Sequence, residues 1–341
     1  MGEPLSARMK DVAARAGVSI GTVSNVINRP EAVSQATRDR VLTAIEELGF
    51  VRNDSARRLR GAPGSTLAYL ALDIGNPFFT DVSRGITEEA EQHGLSVFLG
   101  DVGRNTHRQA TYLELLERQR TEGILVTPAD DHDERLRVLP QRGTPIVLVD
   151  RQLGENFCSV TVDDVQGGDL AATHLLELGH RHLAFMGGTE NVRQIGDRVT
   201  GVRHAMTRAG LDPADLVVLP SEHLDVHGGR HGGERLAGLP SSRRPTGVIC
   251  GNDLVALGLL QQALRLGMQV PDDLAIVGYD DIEFAEAAMV PLTSVAQPRH
   301  LLGRTATQLL LAEMEHKPDH RHRQVVFQPE LVVRTSSRRR P

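Results

Sequence analysis

Apolar positions in the first fifty residues recur at helical spacing in three short bursts. Val12, Ala13 and Ala16 make one face that Gly17 stops, and Ser19 is placed to cap a second run whose Val23, Val26 and Ile27 turn inward. After Ser34, Val41, Ala44, Ile45 and Leu48 fall at i, i+3, i+4 and i+7, and Gly49 ends the run. The pattern predicts a small all-α domain with a tight turn, Ala16-Gly17-Val18-Ser19, between its first two helices. Asn53 to Arg60 is polar and Arg-rich, with Leu59 its single large apolar residue, and Gly61-Ala62-Pro63-Gly64-Ser65 reads as a linker. A segment as short as 53–60 cannot offset the cost of helix nucleation alone, so it is expected to order only on binding.

From Thr66 the period changes. Strand-like runs at Leu67–Leu72, Leu95–Leu99, Gly123–Val126 and Ile146–Val149 alternate with amphipathic stretches, one with Phe79, Val82, Ile86 and Ala90 inward and one around Leu113–Leu116. The rhythm resumes with Leu170–Leu178, Leu183–Met186, a helix near Arg198–Ala209, Gly247–Cys250, Leu254–Leu266 and Leu274–Val277. Repeated β-α units predict parallel sheets covered by helices on both faces, with ligands at the carboxyl ends of the strands. The length suffices for two such sheets with a cleft between them. No internal repeat is visible, and the one biased segment is the Arg338-Arg339-Arg340 tail.

At 341 residues the chain predicts two to three domains. The longest apolar stretches fall far short of the roughly 18–20 residues of a membrane span, and the start has no apolar core of signal-peptide length, so a cytoplasmic location with no membrane partner is expected. Cys158 and Cys250 sit among strand-like apolar residues and read as small buried hydrophobes. The net charge of −6 divides unevenly: residues 1–66 carry ten Lys/Arg against seven acids, a basic head on an acidic remainder. Attraction to phosphate would be local to that head.

Several chemical signals lead elsewhere and are weak. Gly17-Val18-Ser19-Ile20-Gly21 matches G-x-S-x-G, but a nucleophile elbow needs a strand, a turn and a helix, whereas this Ser lies between two short helices. His223, His227 and His231 recur every four residues, yet Gly228-Gly229 and Gly232-Gly233 argue against a continuous helix presenting them together, and a helix start followed by loop is expected. His316, His320 and His322 beside Lys317-Pro318 read as an exposed turn. No Walker loop or dinucleotide fingerprint is present. No cofactor, metal or catalytic site is therefore expected.

The run from Asp11 to Asn28, DVAARAGVSIGTVSNVIN, resembles the helix-turn-helix of the lactose/galactose repressor family, and the similarity continues through Val33-Ser34, Leu48-Gly49-Phe50, Asn53, Ala56-Arg57 and Leu59. Asn76-Pro77-Phe78-Phe79, Gly179-His180-Arg181, Asn252-Asp253, Val277-Gly278-Tyr279-Asp280-Asp281 and Pro291-Leu292-Thr293 are similar to that family's periplasmic-binding-protein-like core. The resemblance implies an α/β chain: a three-helix helix-turn-helix domain over 1–52, a hinge helix and linker over 53–65, then two core subdomains with parallel sheets. The first would comprise 66–161 and 293–323, the second 162–292 and 324–336.

Functionally the resemblance implies a homodimeric repressor, not an enzyme, that binds double-stranded operator DNA and is controlled by a small polar effector, with a sugar favoured. Ile20, Gly21 and Asn25 would face base edges, Asn pairing with adenine and Ile lying on a thymine methyl. Thr22, Ser24 and Asn28 would hold phosphates, while Ala56 and Leu59 belong to the hinge, Leu59 as a minor-groove wedge. Relatives usually carry Pro before the hinge Asn where this chain has Arg52, which removes a backbone restraint and adds a charge suited to phosphate. For the effector the resemblance selects Asn76, Phe78, Phe79, Asp150, Arg151, Arg198, Asn252, Asp280 and Gln297, most of them at predicted strand ends. Carboxylates, guanidinia and amides in one pocket suit a polyhydroxylated ligand. A sugar carrier with a vestigial head and an α/β enzyme are the competing classes.

Overall fold

A computed structural model describes residues 7–50, 66–189, 192–221, 223–315 and 320–338. The chain divides into two compact units, Met1–Gly64 and Ser65–Pro341.

In the first unit, α1 (Met9–Ala16), α2 (Ile20–Asn28) and α3 (Gln35–Glu47) pack around Val12, Val23 and Val41, all fully buried. Gly17 ends α1 in the left-handed region at φ 66°, a conformation that glycine adopts without Cβ strain, and its N–H reaches back to Ala13 and Ala14. Two residues on, Ser19 Oγ accepts from the Thr22 N–H at 3.0 Å, capping α2. This is the tight turn expected between the first two helices.

The second unit contains two six-stranded sheets. The first, in the order β11-β5-β4-β3-β1-β2, comprises β1 (Thr66–Ala71), β2 (Ser96–Asp101), β3 (Gly123–Val126), β4 (Ile146–Val149), β5 (Cys158–Val162) and β11 (Gln324–Phe327), paired in parallel throughout. The second, β12-β10-β9-β8-β6-β7, comprises β6 (Leu183–Met186), β7 (Val217–Leu219), β8 (Gly247–Cys250), β9 (Ala275–Asp280), β10 (Thr293–Ala296) and β12 (Glu330–Val332). Here β12 alone runs antiparallel. Central strands such as Ile146–Val149 and Gly247–Cys250 are buried along their whole length, as continuous apolar runs in parallel sheets require.

The helices are α4 (Pro77–Gln92), α5 (Thr106–Gln119), α6 (Glu134–Gln141), α7 (Asp164–Glu177), α8 (Arg193–Arg208), α9 (Val226–Ala237), α10 (Asp253–Arg265), α11 (Glu283–Glu286) and α12 (Arg299–Met314). Three pairs, α4 with α12, α7 with α8 and α9 with α10, approach so closely that paired glycines stand where the backbones meet. A Cβ on Gly85 would strike the His300 carbonyl, one on Gly168 the Arg198 carbonyl and one on Gly229 the Val255 carbonyl. Gly228, Gly229, Gly232 and Gly233 therefore lie inside a continuous helix, contrary to the loop expected from their helix propensity. Tertiary contact with α10, Met186 and Gln262 outweighs the intrinsic cost of about 1 kcal/mol per glycine.

Sheet membership also corrects two subdomain boundaries. Thr293–Ala296 pairs with β9 and stays in the second sheet, and Gln324–Phe327 pairs with β5 and belongs to the first, so the changes expected at 293 and 324 occur a few residues later. Strands this short carry no periodicity that assigns them to one sheet or another.

Candidate functional site

In the N-terminal unit the inward side of α2 is taken by Val23 and Val26, which leaves Ile20, Gly21 and Asn25 exposed, Ile20 at 53%. A half-exposed Ile at the first position of a helix gains nothing from packing. Its neighbours are held by local bonds: Ser19 Oγ lies 2.9 Å from Thr22 Oγ1, and Asn28 Nδ2 donates to the Ser24 carbonyl at 2.8 Å and to Ser24 Oγ at 3.2 Å. The surface thus separates into a free row, Ile20-Gly21-Asn25, flanked by hydroxyls and an amide fixed in place. Ala56 and Leu59 lie outside the described residues.

In the second unit, strand ends from both sheets converge on a cleft of about 430 Å³ including its open mouth. Asn76, Phe78, Phe79, Asp150, Arg198, Asn252, Asp280 and Gln297 all line it. The topology explains the convergence, because parallel strands deliver their carboxyl ends and the following helix starts to one side of each sheet. Asn76 caps α4 by accepting from the Phe78 N–H at 3.0 Å, and Asn252 caps α10 by accepting from the Val255 N–H at 2.9 Å. Asp150 and Asp280, at the ends of β4 and β9, both have positive φ, 57° and 100°. Non-glycine residues seldom adopt that conformation.

The two halves are bonded across the cleft. Asn76 Nδ2 donates across it to Asp280 Oδ2 at 3.3 Å, while Gln297 Nε2, at the end of the neighbouring strand β10, donates to Asp280 Oδ1 at 2.7 Å. Gln194, at the start of α8, donates to the Asp150 carbonyl at 2.7 Å and to Asp150 Oδ2 at 2.9 Å. Arg198 forms an ion pair with Asp164 at 2.8 Å, donates to the Gly251 carbonyl and lies 3.5 Å over the Tyr279 ring. Tyr279 Oη in turn donates to Asp164 at 2.9 Å. The edge-on pair Phe78 and Phe79, with centroids 5.0 Å apart, contributes the aromatic wall.

Burial dominates the electrostatics. It pushes the Asp150 carboxyl up to about 7, with Asp164 adding to the rise and Arg198 and Arg151 opposing it. Asp280 is pushed up to about 6 by burial, against the pull of Arg198 and its amide donors. Burial alone would lower Arg198, yet Asp164, Tyr279 and Asp280 outweigh it and hold the guanidinium firmly protonated. The cleft therefore presents two carboxyls that burial has made harder to ionise beside a fixed cation. Among the described residues, Gln297 Oε1 is buried with no hydrogen-bond partner.

Arg151 stands apart from the other residues selected from the sequence. It is buried behind Asp150, donates to Gln194 Oε1 and lies 3.5 Å from Asp131, lining a neighbouring depression rather than the cleft. It orients Gln194. Conversely, Gln194 and Arg104 line the cleft and escaped the sequence reading. For Gln194 a signal existed, since it precedes Arg198 by one helical turn and so shares its face. Arg104 follows β2 in the left-handed conformation, φ 55°, which no local pattern announces.

Comparison with known proteins agrees with this geometry. Residues 8–53 match the family described as bacterial regulatory proteins, lacI family, and residues 172–337 match the periplasmic binding protein-like domain. The transcriptional repressor PurR of Aliivibrio fischeri (strain MJ11) is 33% identical over 333 residues, covering 97% of this chain and 98% of that protein. The transcriptional regulator CelR in complex with cellobiose superposes with a TM-score of 0.72 at 31% identity, covering 97% of this chain and all of the other. The lac repressor dimer bound to operator and the anti-inducer ONPF gives 0.81 at 26% identity, over 98% of this chain and 99% of the other. Among the described residues no helix is long and apolar enough to cross a membrane. With a helix-turn-helix whose second helix is bare on one side, and relatives aligned over nearly its whole length, the chain belongs to the lacI family of bacterial regulatory proteins and is a DNA-binding transcriptional regulator.

Proposed function

We propose that this regulator is a cytoplasmic repressor that binds a pseudo-palindromic operator as a homodimer and responds to a sugar or sugar derivative held in the cleft between its two sheets. It performs no catalysis and uses no cofactor in this reading. The observation that carries the effector assignment is the unpartnered, buried Gln297 Oε1 beside two carboxyls. An acceptor left empty in a buried site costs about 1–3 kcal/mol, and a ligand hydroxyl removes that cost. Asp150 and Asp280 accept from further hydroxyls, Arg198 donates to a ring or hydroxyl oxygen, and Phe78 or Phe79 faces the sugar ring. The cellobiose held by CelR and the operator-bound lac repressor dimer support the same reading.

On the DNA side, Ile20 and Asn25 read base edges, Gly21 lets the helix approach closely, and Thr22, Ser24 and Asn28 hold phosphates. Ala56 and Leu59 contribute from the hinge, Leu59 as the wedge. Two copies place two such helices in half-sites about one helical turn apart. Effector and operator are coupled by about 1–3 kcal/mol.

A gel shift on DNA upstream of the regulator's own gene, run with and without sugars that raise the melting temperature of the chain, tests both parts. A retarded band whose half-saturation moves with sugar is expected, and the direction of movement distinguishes inducer from corepressor. Stabilisation by purines or amino acids alone sinks the sugar assignment, and absence of any sequence-preferring band sinks the repressor.

A further inference from the structure

Away from the cleft, four side chains from three elements meet beside the first sheet: Cys158 at the start of β5, Glu313 in the last turn of α12, and His320 and His322 just ahead of β11. Each offers one ligand atom, and all four atoms lie within 4.8 Å of one another. Cys158 Sγ is 3.4 Å from His320 Nε2, His320 Nε2 is 3.5 Å from Glu313 Oε1, and His322 Nδ1 is 3.3 Å from the same oxygen. A tetrahedral ion with bonds of about 2.0–2.3 Å to N, O and S sets its ligand atoms about 3.3–3.8 Å apart. These three separations fall within that range.

We propose that Cys158, Glu313, His320 and His322 form a structural zinc site that ties α12 to the paired strands β5 and β11. One thiolate, two imidazoles and one carboxylate make a mixed set that suits zinc, whereas calcium and magnesium take oxygen ligands. Four protein ligands fill the tetrahedron and leave no open position, the arrangement of structural rather than catalytic sites. The Arg323 N–H donates to Cys158 Sγ at 3.3 Å, an outer contact that steadies a metal-bound thiolate. A nucleophilic role for the Cys158–His320 pair fits poorly, because Cys158 is fully buried and closed to a substrate. The site is graded in exposure, from buried Cys158 through Glu313 at 8% and His320 at 21% to His322 at 38%, so an ion can enter from the His322 side.

The test uses the untagged full-length chain, stripped with a chelator and titrated with Co²⁺ and then Zn²⁺. One equivalent should bind, cobalt should give tetrahedral visible bands with a thiolate charge-transfer band in the near ultraviolet, and Zn²⁺ should raise the melting temperature. Cys158→Ser should abolish the charge-transfer band. His322→Gln, at the exposed corner where folding is least at risk, should weaken Zn²⁺ binding by at least about tenfold, the lower end of what even outer-shell losses cause. Lack of stoichiometric binding overturns the proposal. Binding that survives both substitutions also overturns it and moves the metal elsewhere, for instance to His227 and His231, whose rings lie 4.2 Å apart on α9.

Discussion

Gln194 donates both to the carbonyl of Asp150, at 2.7 Å, and to its carboxylate, at 2.9 Å, so one amide from the second sheet's half of the core seals a strand end in the first. The contact fixes the carboxylate that faces the cleft. Gln194→Ala leaves that buried oxygen short of a donor, and effector affinity should fall by roughly 1–3 kcal/mol. Calorimetry with the active sugar checks this. An unchanged affinity would mean that Asp150 is positioned by its backbone alone.

The two raised carboxyls predict a pH signature. A free Asp titrates near about 3.9, whereas Asp280 and Asp150 are held at about 6 and about 7. Between those values the folded chain holds more protons than the unfolded one, so ligand-free stability should decline as pH rises from about 4 to about 7. Effector hydroxyls favour the ionised carboxylates, so affinity should rise over the same interval, by at most about tenfold per pH unit for each proton released. Melting curves and titrations on Asp280→Asn beside the unaltered chain check both trends. Equal slopes in the two proteins would remove Asp280 from the effect.

On DNA, Asn25→Ala should cost about 1–3 kcal/mol and relax selection at one base pair per half-site, because a bidentate pair is lost without loss of a phosphate contact. Leu59→Ala should instead weaken binding to all operators alike, with effector affinity intact. Binding measured over a set of single-base operator variants separates the two patterns.

Helix packing gives a prediction independent of function. Gly229→Ala places a methyl on the Val255 carbonyl across the α9–α10 contact and should destabilise by about 1–3 kcal/mol or more. Gly238→Ala, at φ −71° with no atom nearer than 3.5 Å, should be neutral or stabilising by up to about 1 kcal/mol. Denaturant titrations of the pair compare them directly.

The readable features of the chain were those whose cause is local. Gly17 and Ser19 bracket a helix boundary because a left-handed cap and a side-chain acceptor act within four residues. Strands such as Ile146–Val149 announce burial by being apolar throughout. The cleft was legible as well, since a parallel β-α order obliges strand ends to gather, and Asn76, Asp150 and Asn252 each follow a strand while Asp280 ends one. Where the reading failed, the cause lay in distant chain. The glycines of 228–233 look helix-breaking until α10 is laid against them, and nothing local announces that Arg151 turns to Gln194 and Asp131 beside the cleft.

The sequence by itself determined the three-helix head and the alternation that builds two sheets, because caps and periodicity depend on near neighbours. Only the tertiary structure decided which sheet receives Thr293–Ala296 and Gln324–Phe327, and which amide bridges the cleft. It also brought Cys158 within reach of two histidines more than 160 residues away. Those outcomes depend on packing between segments far apart in the chain, which no local window of residues contains.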